Sequence, residues 1–174
     1  MKGLWAIMLV LNCMLGIPAA AAADFALSSF TVEPNQSIPL QYTCQGENVN
    51  PPLNIKGIPA GTKSLALIVD DPDASNGTWV HWIVYNIPPT DSIEENSIPG
   101  REGWNDFGKK SYGGPCPPDG THRYFFKLYA LDTVLDLTGK VDSSRLQSAM
   151  KGHILGTAAL VGVYQKIEQA AQSF

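Results

Sequence analysis

A run of prolines and glycines ahead of an apolar strand is the feature that most constrains how this chain folds. The run is Gly113-Gly-Pro-Cys-Pro-Pro-Asp-Gly-Thr-His-Arg-Tyr124. Proline fixes φ and glycine permits close backbone approach, so the segment can hold one shape with little packing of its own. His122 and Tyr124 stand two residues apart, and in a strand that spacing puts both side chains on one face. The sequence therefore predicts a stiff loop that brings an imidazole and a phenol together beside a binding pocket.

An upstream stretch carries acids and a second histidine at similar positions. The apolar run 66–69 is typical of a strand buried on both faces, and it leads into Asp70-Asp-Pro-Asp-Ala-Ser75. A new strand then begins near Trp79, with His81 between two tryptophans. We expect the carboxylates and imidazoles to cluster where these strands meet their loops.

Together the two stretches resemble the signatures of the phosphatidylethanolamine-binding protein (PEBP) family, and within it the bacterial Raf kinase inhibitor-like branch. They stand here as Asp71-Pro-Asp-Ala-Ser75 with Val80-His-Trp-Ile-Val-Tyr-Asn86, and as Gly114-Pro-Cys-Pro-Pro118 with His122-Arg-Tyr124. The segments 42–52 and 151–155 also resemble bacterial members, so the resemblance covers nearly the whole chain after residue 23. Ser75 departs from the pattern, because a proline often stands there in the family.

The resemblance implies an anion pocket whose ligand-binding residues are Asp71, His81, Pro118, His122 and Tyr124. Imidazolium and phenol groups are hydrogen-bond donors suited to a phosphate-type anion. The acid Asp71 is expected to accept a hydrogen bond from a histidine and so orient it, and Asp73 is expected to brace its own turn. Without the resemblance, His81 would be interpreted as a core histidine and the aspartates as turn formers.

The predicted fold class is all-β, a PEBP-like β-sandwich with Greek-key connections and short peripheral helices. The β-branched and aromatic runs predict strands at Phe25–Val32, Leu40–Cys44, Ser64–Val69, Trp79–Asn86, Tyr124–Asp132 and Ala158–Tyr164. A helix is predicted at Ser143–Lys151, capped by serine and ended by Gly152. The connection 88–113 is predicted to be an ordinary packed surface loop, and the alternative is a pocket rim or partner surface. Its segment Gly103–Gly108 mixes aromatic and turn residues and is expected to pack near the loop mouth.

Residues 1–23 have the layout of a secretory signal peptide. Lys2 precedes an apolar run that ends near Gly16, and Pro18 and a string of alanines follow. We expect cleavage near residue 23, a single domain over residues 24–174, and a periplasmic or secreted protein; an uncleaved anchor is the alternative. In an exported protein, Cys44 and Cys116 could form a disulfide. Because the sequence does not show how close the two residues lie, two buried thiols are the alternative.

The formal net charge of −4 argues against nucleic acid as a partner. The sequence predicts no cofactor and no metal, because the spacing of His81, His122, Asp71 and Cys116 matches no metal motif. A hydrolase that uses Cys116 or Ser75 as nucleophile is disfavoured, since no nucleophile elbow is present. We therefore predict no catalytic residues and a binding protein for a small anion or phospholipid head group, one that modulates a partner protein. The alternative function is that of a peptidase inhibitor or another protein-interaction module. Kinase inhibition is discounted because an exported protein does not meet a cytosolic kinase. The resemblance also suggests a homodimer.

Overall fold

The computed structural model describes residues 24–167, which form two antiparallel sheets packed face to face. The predicted signal peptide, residues 1–23, lies outside the described residues. In chain order the elements are β1 (Ala26–Ser28), β2 (Leu53–Lys56), β3 (Ser64–Asp71), β4 (Trp79–Ile87), β5 (Ser92–Ile93), β6 (Arg101–Glu102), β7 (His122–Leu131), α1 (Ser143–Met150) and β8 (Ile154–Tyr164). No helix within residues 24–167 is long and apolar enough to cross a membrane.

The larger sheet has the strand order β6-β4-β3-β7-β8 and the smaller one β1-β2-β5. Strands β3, β4 and β6 follow one another in the larger sheet, and β7 returns after a long connection to pair with β3. This is the spatial order of a Greek key. The prediction of a mainly β fold with a β-sandwich architecture is therefore confirmed.

The strand β3 is buried along its whole length because both faces of the larger sheet are covered. On one face Leu65, Leu67 and Val69 pack in the core that the two sheets share. On the other face Ala66 and Ile68 belong to a second cluster, which includes Leu146 of α1. A strand covered on both sides requires apolar residues at consecutive positions, which explains the continuous apolar run in the sequence.

The helix differs slightly from its prediction. It spans Ser143–Met150, and its cap is Asp142, whose side chain accepts a hydrogen bond from the Arg145 backbone N–H at 3.0 Å. Carboxylates and hydroxyls both cap helices by accepting from the free N–H groups of the first turn, so the sequence left either residue available.

The strand predicted at Leu40–Cys44 is wrong, because residues Leu40–Tyr42 form a 3₁₀ turn. The backbone N–H groups of Tyr42 and Thr43 donate to the carbonyls of Pro39 and Leu40, at 3.0 Å each. The Thr43 hydroxyl also donates to the Leu40 carbonyl, at 2.8 Å. These local bonds take up the groups that a strand would offer to a neighbour, and side-chain bonds of this kind compete with regular structure.

Candidate anion-binding site

A cavity of about 230 Å³ lies at one end of the larger sheet, where three neighbouring strands meet their loops. Strand β3 ends at Asp71, β4 begins at Trp79 and β7 begins at His122. Because β3 lies between β4 and β7, these three ends are adjacent in space. The cavity is lined by Asp71, Ala74, Ser75, Asn76, Trp79, His81, Phe107, Cys116, Pro117, Pro118, His122 and Tyr124.

A buried carboxylate–imidazole pair forms one side of the cavity. The Nδ1 atom of His122 lies 2.7 Å from Oδ2 of Asp71, and both residues are buried. The other carboxylate oxygen of Asp71 accepts a hydrogen bond from the Asp73 backbone N–H at 2.8 Å. Since a carboxylate only accepts, the His122 ring donates from Nδ1 and leaves Nε2 for the cavity.

The neighbouring turn residue, Asp73, makes different hydrogen bonds from those predicted. Asp71, and not Asp73, closes the local turn by accepting a bond from a backbone N–H. Asp73 instead accepts three bonds from Arg123, from its backbone N–H and from its guanidinium Nε and Nη2 atoms, at 2.7 to 2.9 Å. These bonds lower the pKa of Asp73 to about 2. The 72–78 turn is thus fixed to the start of β7 beside the cavity.

The second imidazole, His81, is fixed by reciprocal bonds with Gly113. Its Nδ1 atom lies 2.6 Å from the Gly113 carbonyl oxygen, and the Gly113 N–H donates to the His81 carbonyl at 3.1 Å. A carbonyl only accepts, so the ring donates from Nδ1 and keeps Nε2 without a partner among the described residues. Burial lowers the pKa of His81 below its ordinary value. The hydrogen bond to Gly113 and the negative charge of Asp71 act in the opposite direction, but their effect is smaller.

The phenol of Tyr124 stands next to both imidazoles. Its ring packs edge-on against His81, with 5.2 Å between centroids. Its hydroxyl is buried and lies near the Asp71 carboxylate and the Cys116 backbone, but it makes no hydrogen bond of good geometry within residues 24–167. Burial, and then the negative charge of Asp71, raise the pKa of Tyr124, so the group stays protonated and remains a donor. A buried donor without a partner costs roughly 1–3 kcal/mol, which a ligand acceptor would recover.

The proline-rich loop closes the cavity and is held by several contacts to segment 42–48. Pro117 and Pro118 line the wall. The Gly114 N–H donates to Oδ1 of Asn48 at 2.7 Å, and a Cβ at Gly114 would lie 2.5 Å from a backbone oxygen, so only glycine fits there. A disulfide joins Cys44 to Cys116, with their Cα atoms 5.4 Å apart. Contacts within the protein therefore hold the loop in one conformation.

The cavity wall contains all five residues that the resemblance singled out: Asp71, His81, Pro118, His122 and Tyr124. It also contains Phe107, from the segment that was predicted to be a surface loop with a pocket rim as the alternative. Phe107 packs edge-on against the rings of Trp79 and His81, with centroids 5.5 and 5.3 Å apart. The signal that could have found it is an aromatic residue within a turn-forming segment. Residues 24–167 contain no cluster of three side chains able to hold a metal ion.

By its fold and its cavity, the protein is an antiparallel β-sandwich with a pocket at the strand ends that histidine and aspartate side chains line. The family model for phosphatidylethanolamine-binding protein matches residues 28–165. The chain belongs to this family, and the resemblance seen in the sequence is confirmed.

Known relatives agree with this assignment. A UPF0098 protein from Methanothermobacter thermautotrophicus is 52% identical over 137 residues, which is 74% of this chain and 91% of that protein. A structure from Chlamydia trachomatis, described as a homolog of phosphatidylethanolamine-binding protein, has a TM-score of 0.80 at 42% identity and covers 83% of this chain and 99% of its own. YbcL of E. coli, described as a new member of the mammalian PEBP family, has a TM-score of 0.77 at 30% identity, over 83% of this chain and all of its own (100%).

Proposed function

We propose that the protein binds a small oxyanion, such as the phosphate of a phosphorylated head group, in this cavity and does not convert it chemically. The observation that carries the proposal is the buried Tyr124 hydroxyl, a donor without a protein acceptor. The unpaired Nε2 atoms of His81 and His122 belong to the same cavity wall. With both rings protonated, these two atoms and the Tyr124 hydroxyl are three donors around a small space, which suits an oxyanion because it has only acceptor atoms.

The aromatic and proline residues at the mouth favour a ligand that carries more than the anion. Trp79 and Phe107 are each partly exposed there, 37% and 41%, and Pro118 of the proline-rich loop lines the same cavity. Apolar groups with polar ones behind them are typical of small-molecule sites. Titrations with sulfate, phosphate, phosphoethanolamine and short-chain phosphatidylethanolamine would separate a free anion from a head group and from a lipid.

Replacing Tyr124 with phenylalanine is expected to weaken sulfate binding about tenfold or more while leaving the free energy of unfolding within about 1 kcal/mol. The substitution removes a ligand donor that forms no bond in the free protein. Isothermal titration calorimetry and urea unfolding measure the two effects.

A second tyrosine provides the matched control. The Tyr112 hydroxyl donates to the Tyr42 carbonyl at 2.9 Å, and Tyr112 does not line the cavity. Tyr112→Phe should therefore lower stability and leave sulfate affinity unchanged. Equal sulfate affinity in Tyr124→Phe and the wild type would rule out the hydroxyl as a ligand donor.

Sulfate binding is expected to strengthen as the pH falls below about 6.5, by at most about tenfold per pH unit. The His81 Nδ1–H is taken by Gly113, so Nε2 can donate to an anion only in the imidazolium form. Burial lowers the pKa of His81 in the free protein, so a bound anion that accepts from the imidazolium must raise that pKa. The sulfate affinity therefore stops rising once the pH falls below the His81 pKa of the free protein. Sulfate stays a dianion across this range, unlike phosphate.

Ring NMR signals followed from pH 5 to 8, with and without sulfate, would check this dependence. The charged groups that face His81 are Asp71 and, more weakly, Asp70, and the ring signals of His122 are recorded in the same experiment. The variant His81→Gln keeps an amide donor and cannot titrate. A His81 titration that sulfate leaves unmoved would contradict the assigned role.

The remaining functional hypotheses are separated by direct assays. Cys116 is bonded to Cys44, so in this form it has no thiolate for nucleophilic attack. We expect no turnover on ester and phosphoester panels. Four hypotheses stay predictions: inhibition of a peptidase, modulation of another partner, export, and dimer formation. Peptidase assays would test the first, cell fractionation would test export, and sedimentation would test dimer formation and binding to a partner.

A further inference from the structure

A second cavity, of about 180 Å³, lies behind the wall of the anion site and ends at the disulfide. It is lined by Cys44, Asn48, Asn105, Phe107, Lys109, Ser111, Tyr112, Gly113, Gly114 and Cys116. Only Phe107 and Cys116 belong to both cavities. The disulfide is therefore part of the partition between them, and one of its sulfur-bearing residues faces the anion site.

We propose that the second cavity is a thiol-exchange site that takes a small anionic thiol at Cys44, and that this exchange weakens anion binding next door. The coupling to anion binding rests on the proposed function, whereas the exchange site itself does not. Three observations carry the inference: the exposure of the two cysteines, the charge of the cavity lining and the contacts that hold the loop independently of the disulfide.

The exposure of the two cysteines differs in a way that selects the site of attack. Cys44 is exposed, whereas Cys116 is only partly accessible and lies in the wall of the anion cavity. Thiol–disulfide exchange requires access to the attacked sulfur, and exposed disulfides are the labile ones. Since Cys44 is the more exposed of the two residues, we expect an incoming thiolate to attack its sulfur.

The charge of the lining favours an anionic thiol. Lys109 is the charged side chain among the lining residues, and it is exposed at the cavity. Hydroxyl and amide groups from Ser111 and Asn48 accompany it, without a carboxylate in the lining. A cation with neutral hydrogen-bonding groups attracts a thiol that also carries a carboxylate.

The exchange step balances without an added oxidant. The thiolate sulfur forms a new S–S bond to Cys44 as the Cys44–Cys116 bond breaks, and the bonding electron pair leaves on Cys116 as a thiolate. The departing charge forms in the cavity wall that Cys116 shares with His81 and His122. The product has a mixed disulfide at Cys44 and a negative sulfur in the wall of an anion site.

The loop does not depend on the disulfide alone for its position. The Cys44 N–H donates to the Pro115 carbonyl at 3.1 Å, the Gly114 N–H to Asn48, and the Tyr112 hydroxyl to the Tyr42 carbonyl. None of these bonds involves a sulfur atom, so we expect them to remain when the S–S bond is broken. We therefore expect the change in anion affinity to come from the charge of Cys116 more than from loss of the cavity.

The test uses mercaptoacetate as the anionic thiol and 2-mercaptoethanol as its neutral counterpart, on the oxidised protein. Peptide mass mapping is expected to place the adduct on Cys44. Lys109→Gln should slow the reaction with mercaptoacetate and leave the reaction with 2-mercaptoethanol unchanged. The control is Lys140→Gln, because Lys140 is exposed and lies outside this cavity, and this variant should react like the wild type. No adduct, or an adduct on Cys116, would overturn the proposed site.

Calorimetry then tests the coupling. Cys44→Ser leaves Cys116 as a free thiol, and it should bind sulfate up to about tenfold more weakly than the wild type at the same pH as the pH rises toward the usual thiol pKa of about 8.5. The weakening that comes from neutral His81 is common to the wild type and both variants, so the comparison at each pH isolates the charge of Cys116. Cys44→Ser/Cys116→Ser has no thiolate and should restore the affinity. Equal affinities in the single and double variants would overturn the coupling. Failure of the oxidised wild type to bind any oxyanion would instead overturn the proposed function and leave the adduct result standing.

Discussion

Replacing His122 with alanine is expected to abolish measurable sulfate binding and to lower the free energy of unfolding by about 3 kcal/mol or more. The change removes a cavity donor and leaves the Asp71 carboxylate buried without its imidazole partner, 2.7 Å away in the wild type. Breaking a buried pair by removing one member is strongly destabilising, because the other charge stays in a poorly solvated place. Urea unfolding and calorimetry measure the two effects.

The chain offers a matched control for this variant. His153 lies 2.8 Å from Asp132 through the same ring atom, but both side chains are about half exposed, 47% each. His153→Ala should therefore cost less than about 1 kcal/mol and leave binding intact. Similar losses of stability in the two alanine variants would show that burial does not govern the Asp71–His122 pair.

A milder change separates binding from folding. In His122→Asn the amide group can replace Nδ1–H as a donor to Asp71 but does not reach as far as Nε2. We expect this variant to recover part of the lost stability without recovering sulfate binding. Full recovery of binding would show that the Nε2 atom of His122 is not a ligand donor.

Replacing Phe126 with alanine is expected to lower the free energy of unfolding by about 3–5 kcal/mol. Phe126 is fully buried, and its backbone lies between Val69 of β3 and Leu160 of β8. Truncation leaves a cavity in the core that the two sheets share. Because Phe126 follows Tyr124 on the same strand face, loss of its ring also removes support from the pocket, and weaker sulfate binding should accompany the loss of stability.

Phe30→Ala is the control for that variant, since Phe30 is 75% exposed. Its unfolding free energy should stay within about 0.5 kcal/mol of the wild type. Chemical denaturation of both variants checks the comparison. An equally small effect at Phe126 would contradict its placement in the core.

The elements that the sequence predicted well are those whose pattern follows directly from burial. The run 66–69 lies in β3 and the aromatic run at 79–86 lies in β4, because a sheet covered on both faces needs apolar residues at each position. The family motifs identified the ligand-binding candidates because they place polar side chains where these strands end. The fold class and the family are both confirmed.

Other features depend on contacts that local sequence does not encode. The 40–44 segment has strand-like residues but forms a 3₁₀ turn. The strand β2 is only four residues long and follows two prolines, so its pattern was too short to recognise. The role of Phe107 depends on a long loop that packs against Trp79 and His81, and this contact exists only in the tertiary structure. Which histidine pairs with Asp71 is likewise decided by the alignment of β3 with β7.

The Greek-key order also affects how the protein reaches its native state. The pairing of β3 with β7 joins residues far apart in the chain, from Ser64 with Leu131 to Asp70 with Phe125. Contacts of high sequence separation slow folding, typically to milliseconds or seconds for β-sandwiches. Asp71 and His122 lie on opposite sides of this junction, so their hydrogen bond cannot form until it closes. If the cavity binds sulfate as proposed, sulfate binding during refolding would report closure of the central strands, independently of the formation of the local hairpins.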